Sequence, residues 1–192
     1  MRLNTEKLKV VNFSCCPSHA NPPVLKLYDT QLKIDTEAEF LGLILDQRLT
    51  WRLQIEHLVA KAQTQLNLLR ALAALHSTPF PELILKLYRP LVRPIFEYSC
   101  IAFINASPNH IGKLQMVQNA CLRAALKLPA YTPIPLLHDA AGVDPLKTHL
   151  LDFSKKRLLS LKKTSPQARD LINRFAIQDH IPHHLCPLEL HI

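Results

Sequence analysis

A chain of 192 residues with 48% hydrophobic content can bury one real core with a small appendage, and it is short for two full domains. Its 3 Gly against 15 Pro argue against a glycine-cradled phosphate loop, because a backbone wrapped round a pyrophosphate needs Gly where side chains would clash. The 23 Lys and Arg against 15 Asp and Glu give a net charge of +8, which favours a polyanionic partner unless the cations merely solvate helix faces.

Five Cys, at positions 15, 16, 100, 121 and 186, form no paired framework of the kind that small secreted domains use, so an intracellular, reducing compartment is expected. Met1-Arg2-Leu3-Asn4 is followed by no apolar run, and no signal peptide is expected. The longest apolar stretch, residues 83–106, is broken by Lys86, Arg89, Arg93 and Glu97 and does not read as a membrane span.

Residues 7–14 are β-rich and partly alternating, as a strand exposed on one face would be. Tyr28-Asp29-Thr30 suits a short hairpin turn between residues 24–27 and 31–34, and residues 39–45 form a buried-strand candidate carrying Gly42. Residues 1–46 thus read as a small antiparallel β unit. From Trp51 the period changes, with Ile55, Leu58, Val59, Ala62, Leu66 and Leu69 at helical spacing, predicting a long amphipathic helix. A second apolar helix over residues 81–103 contains Pro90 and Pro94, each of which removes a backbone donor and clashes one turn back, so it is expected to be kinked or broken there.

Ser107-Pro108 places a cap residue before a proline at the first helical position and predicts a third helix to Leu128. Its apolar face carries Ile111, Leu114, Cys121, Leu122 and Ala125, with Gln118 as the polar exception that must find a hydrogen bond if buried. A linker at 129–135, a short helix at 136–141 ended by Gly142, and a last long helix at 145–163 follow. The expected organisation is α+β and mainly α: a β remnant at 1–46, a helical bundle at 47–164 and a tail at 165–192.

The placement of charge bears on function. No acidic residue lies between Glu97 and Asp139, and Lys113, Arg123 and Lys127 project opposite the apolar stripe of the third helix. On the last helix Lys155, Lys156, Arg157, Lys162 and Lys163 fall within nine residues without one acid, whereas a solvated face usually interleaves signs. Both helices are candidates for phosphate contact. Metal sites are not expected: Cys16 and His19 have two residues between them, and His183, His184 and Cys186 crowd the tail, but zinc needs four converging ligands. Cys100 and Cys121 read as core, and no nucleophile elbow or paired-histidine motif marks a catalytic centre.

Several segments, taken in order, resemble the reverse transcriptase of non-LTR retrotransposons of the jockey type. Leu3-Asn4-Thr5-Glu6-Lys7-Leu8-Lys9-Val10-Val11-Asn12-Phe13-Ser14 is similar to the lysine-bearing strand that closes the family's palm. Phe40-Leu41-Gly42-Leu43-Ile44-Leu45-Asp46 with Leu49-Thr50-Trp51 looks like its primer-grip hairpin and the entry to the thumb. Residues 87–98 and 114–123 resemble the helical segments beyond, and residues 132–146 the family's next helix-turn. The resemblance covers about residues 3–160. Phe103 stands where the family often has Trp, and no Tyr-x-Asp-Asp occurs anywhere.

The resemblance implies an end-piece of an RNA-directed DNA polymerase: the end of the palm, a thumb-like helical region, and none of the aspartates that clamp the metals of phosphoryl transfer. The family uses Mg²⁺; this chain by itself is expected to hold no cofactor and to catalyse nothing. Lys7 would approach the incoming nucleotide's phosphates, and Phe40, Leu41 and Gly42 would hold the primer end, both roles requiring the polymerase half that this chain does not carry. What is left to it is weak, sequence-independent contact with RNA or DNA through Lys113, Arg123, Lys127, Lys155, Lys156, Lys162 and Lys163. The alternatives are a helical scaffold that binds a protein partner through its apolar faces, or a retroelement remnant without function.

Overall fold

The computed structural model describes residues 8–13, 24–28, 30–74 and 81–177. Among them lie six short strands and eight helices, so the fold is α+β and mainly α. The chain divides into two compact units, residues 1–56 and 57–192.

The strands of the first unit form three two-stranded sheets. β1 (Val10–Val11) pairs with β4 (Ile34–Asp35), and this pair is parallel, unlike the antiparallel pairing expected of the whole unit. β2 (Lys26–Leu27) and β3 (Thr30–Gln31) pair antiparallel across the turn at Tyr28, where the sequence places it. β5 (Glu37–Phe40) and β6 (Leu43–Asp46) pair antiparallel with Phe40 opposite Leu43. The expectation of one buried strand over 39–45 is therefore corrected to a hairpin. Leu41 and Gly42 take φ of 50° and 76°, the two left-handed positions that turn a chain tightly between twisted strands. Gly42 occupies its position without strain, and Leu41 is held there with its side chain 74% exposed.

Asp46 ties this hairpin to the helix that follows. Its Oδ2 accepts from Thr50 N and Thr50 Oγ1 at 3.0 and 2.9 Å, and its Oδ1 accepts from Trp51 N at 3.1 Å. Burial pushes the Asp46 carboxyl up, but the hydrogen bonds from Thr50 and Trp51 outweigh it and hold the group below the usual carboxylate value. The bonds also fix Leu49 and Trp51 at positive φ, a conformation that is strained for both. One turn into the helix, Gln54 Oε1 accepts from Ile44 N at 2.9 Å. None of the described residues from 8 to 53 is buried, so these short strands have no interior of their own.

Helix α1 (Arg52–Ala74) buries Ile55, Leu58, Ala62, Leu66 and Leu69 at the expected spacing, with Val59 half-buried. The second apolar segment is broken into α2 (Pro81–Leu91), α3 (Arg93–Glu97) and α4 (Cys100–Phe103). Pro94 opens α3, where a missing N–H costs nothing, and Ser99 at φ 56° separates α3 from α4. Ile84, Tyr88, Val92, Phe96, Cys100 and Ile104 are all buried. A straight helix would rotate residues spaced by four about 40° per step, so the two breaks are what keep this row facing the core.

α5 (Pro108–Leu126) starts as the sequence predicts, with Ser107 Oγ accepting from His110 N at 3.4 Å, and packs against α2 and two later helices. Those are α6 (Ile134–Ala141), ended by Gly142 at φ 57°, and α7 (Leu146–Thr164). Within the stretch read as a tail, residues 165–192, α8 (Pro166–Ile177) follows and packs on α7, and residues 178–192 lie outside the described ones. Ser165 Oγ accepts from Ala168 N at 3.3 Å, so Ser165-Pro166 repeats the start signal of Ser107-Pro108.

Fully buried Gln118 finds its partners as expected: Nε2 donates to Asp144 O at 3.0 Å, and Oε1 accepts from Gln115 Nε2 at 2.8 Å. Gln115 Nε2 also donates to Asn119 Oδ1 at 2.8 Å, and Gln115 Oε1 accepts from Leu146 N, the first residue of α7, at 2.7 Å. His138 Nδ1 lies 2.7 Å from Val143 O, a pure acceptor, so this nitrogen carries a proton; Nε2 lies 3.0 Å from Asn119 Oδ1. A single polar seam joins α5, α6 and α7.

Two outcomes are expected. Gln118→Ala, which orphans buried partners, lowers the unfolding free energy by about 1–3 kcal/mol, whereas Gln63→Ala on α1 changes it by less than about 0.5, both read by urea denaturation. Because the Asp46 carboxyl is held below its unfolded value of 3.8, its contribution is present above that value and is lost as pH falls through the lowered one. Fluorescence of the single tryptophan, Trp51, should therefore show an acid transition below pH 3.8 that Asp46→Asn removes.

Candidate nucleic-acid interface

The lysines of α7 are placed by the seam at its start. Leu146, Leu150 and Ser154 are buried, and the opposite side of the helix carries Lys155, Lys156 and Lys163 exposed and Lys162 half-buried. Lys155 and Lys162, seven residues apart, fall within about 20° of one another round the helix, and Lys156 and Lys163 form the next row. The face is not free of acid, as the nine-residue run suggests: Asp152 is exposed three and four positions before Lys155 and Lys156. Sequence reasoning misses Lys147, which is exposed on the first turn of α7, eight positions before Lys155.

On α5, Lys113 and Arg123 stand opposite the buried stripe, flanking Met116, which is 64% exposed. Arg123 also braces the fold, because its Nη2 donates to Thr132 O at 3.3 Å and ties the end of α5 to the linker. Lys127 is exposed and forms the left-handed cap of α5, φ 54°, its N–H donating to Arg123 O. Each set lies opposite its own helix's buried stripe, so the cations form two strips and not one converging pocket. Phe40, Leu41 and Gly42 lie together at the exposed end of the β5–β6 hairpin. Lys7 is outside the described residues, as are Cys15, Cys16, His19, His183, His184 and Cys186.

Two clusters that look chemical are structural. Cys100 Sγ lies 3.1 Å from Ser154 Oγ in the core; burial pushes its thiol up and pushes that of Cys121 up to about 12, which leaves both protonated and unreactive near neutrality. His149 Nε2 lies 2.7 Å from Glu97 Oε1 and its Nδ1 3.0 Å from Arg93 Nη2, so both ring nitrogens are engaged in clamping α7 to α3. No sequence signal links these residues, which are separated by more than fifty positions.

A cleft of about 460 Å³ opens where the first turns of α5 and α7 approach the segment after α4. Ile104, Ile111 and Leu151 form its apolar wall, Asn105, Gln115 and Lys147 are its polar groups, and Gly112 of α5 faces it. A Cβ at Gly112 would meet no atom within 4 Å.

Among the described residues no group of three or more His, Cys, Asp or Glu is placed to hold a metal ion. No helix of the described residues is long and apolar enough to cross a membrane. Comparison of the chain with protein-family models, with curated proteins and with solved structures finds no match in any of the three.

Proposed function

We propose that this chain is a nucleic-acid-contacting end-piece of a retroelement polymerase, which binds single-stranded RNA or DNA weakly and without regard to sequence. The observation that carries the reading is the double row of Lys155, Lys156, Lys162 and Lys163 turned away from the core of α7. Lysine ammonium groups in such rows meet phosphates as point charges, release counterions and read no base, which gives affinity without specificity. Lys113 and Lys127 of α5 add to it, and Arg123 contributes less because its guanidinium is engaged by Thr132. Lys7, Phe40, Leu41 and Gly42 belong to polymerase roles that this chain does not perform alone.

A protein partner is the second reading, favoured by a different observation. None of the described residues between 8 and 53 is buried, while Phe13, Val24, Leu25, Phe40 and Leu41 are between 42% and 74% exposed. Strands this short are marginal without further pairing, and apolar side chains without an interior are the material of an interface.

The test is titration of labelled single-stranded RNA at several salt concentrations. Wild type should bind with a dissociation constant on the order of micromolar or weaker, and log K should fall with log salt by about 0.7 for each phosphate contact. Changing Lys155, Lys156, Lys162 and Lys163 to Ala should flatten that slope by about 0.7 per contact removed. No binding at low salt, or an unchanged slope in the quadruple variant, would hand the lead to the protein-partner reading. A second measurement addresses chemistry: primer extension with magnesium or manganese should stay at the buffer blank, and extension abolished by Lys7→Ala would overturn the assignment as non-catalytic.

A further inference from the structure

The cleft between the first turns of α5 and α7 lies beside the α7 lysines, and three observations bear on what it holds. Its volume of about 460 Å³ falls within the range of small-molecule sites. Its wall is largely apolar, from Ile104, Ile111 and Leu151, with two amides, Asn105 and the seam residue Gln115, and one cation, Lys147. Gly112 sits inside α5 where no atom crowds a Cβ, so packing does not require glycine there. A glycine inside a helix weakens it relative to alanine, and its visible effect here is to leave the cleft open.

Charge complementarity selects the occupant. Lys147 stands in the first turn of α7, a turn without any acid, where the helix end is already positive and a lysine is electrostatically unfavourable for the helix itself. From Lys147 the same side of α7 runs through Leu151 and Lys155 to Lys162, fifteen positions and about 22 Å along the axis. At a rise of about 3.4 Å per stacked nucleotide that length corresponds to about six nucleotides.

We infer that the cleft seats one nucleotide of the single strand that α7 holds, with the base against Ile104, Ile111 and Leu151, its edge at Asn105, and its phosphate on Lys147. The ligand chemistry is that of a nucleoside monophosphate, free or as a unit of a strand. The inference rests on the proposed single-strand binding, and it adds an apolar, size-limited site to a surface that otherwise recognises charge alone.

Calorimetric titration of the full chain with the four nucleoside monophosphates, with inorganic phosphate and with a ten-nucleotide oligo(U) tests it. Nucleoside monophosphates should bind about tenfold more tightly than inorganic phosphate, because burial of the base adds to the charge contact. Gly112→Leu should weaken nucleotide binding by about tenfold or more while oligo(U) keeps its salt slope. Lys147→Ala should weaken both ligands. Lys155→Ala with Lys162→Ala should do the reverse of Gly112→Leu, lowering the oligo(U) slope and sparing the mononucleotides. Gly112→Ala should raise the melting temperature by about 2–4 °C, showing that this position tolerates a side chain, so that a loss of binding in Gly112→Leu with an intact melting curve is not unfolding. Inorganic phosphate binding as tightly as nucleotides, or nucleotide binding indifferent to Gly112→Leu, would overturn the cleft assignment while leaving strand binding by α7 standing. Failure of oligo(U) to bind at low salt, with mononucleotide binding still sensitive to Gly112→Leu, would instead overturn the strand reading and leave the cleft as a site for free nucleotides.

Discussion

With its amide nitrogen directed at both Gln118 and Asn119 and its oxygen accepting from the Leu146 N–H, Gln115 joins the middle of α5 to the first residue of α7. Gln118 carries the join to Asp144 O, and Asn119 carries it to His138, whose other ring nitrogen holds Val143 O. The side chains of Gln115, Gln118, Asn119 and His138 are each buried or half-buried, so a partner lost by one is a desolvated donor or acceptor left behind in another. Such a seam admits one arrangement of the three helices where an apolar contact would tolerate several. The rotation of α7 about its own axis follows from it, and with that rotation the side from which Lys155 and Lys156 project and the position of Lys147 at the cleft.

The same demand for one orientation explains the broken segment before α5. The row of buried residues from Ile84 to Ile104 is spaced by four, a spacing that drifts round a continuous helix. Breaking the helix after Leu91 and again at Ser99 resets the drift; Pro94 makes the first break inexpensive, the left-handed Ser99 makes the second, and Pro90 stays inside α2. Glu97 emerges at the end of α3 within reach of His149 and Arg93 and clamps α7 a second time, one turn beyond the Gln115 contact. Two clamps of different chemistry thus hold the helix that carries the largest group of lysines.

How much of this is legible in the sequence depends on the range of the interaction involved. The stripe of α1, the Ser107 cap, the Gly142 stop and the breaks at the prolines arise from neighbours within one or two turns, and local pattern reveals them. The β5–β6 hairpin escapes that pattern because Leu41 must share the left-handed turn with Gly42, a conformation that its type does not advertise. α8 is passed over although Ser165-Pro166 announces its start and its apolar residues recur at helical period. For the candidate interface, the outward placement of Lys155, Lys156, Lys162 and Lys163 follows from helical period alone. The use of Arg123 by Thr132, the meeting of Gly112 with Lys147, and the partners of Gln118 join residues that local pattern does not connect.

Charge alone makes a limited surface here. At physiological ionic strength the screening length is about 8 Å, shorter than the roughly 10.5 Å between successive lysines along one row of α7, so each lysine attracts largely on its own and the strip on α5 adds mainly a diffuse attraction. Asp152, on the same exposed face, removes part of that attraction from the start of the row. The lysines can therefore gather a strand but discriminate little between one polyanion and another. Discrimination requires a contact that salt does not screen, and the apolar wall at Leu151, which opens towards Gly112, offers one beside the row, as do the exposed Leu159 and Leu161. Lys147 and Leu151 belong both to α7 and to the lining of the cleft.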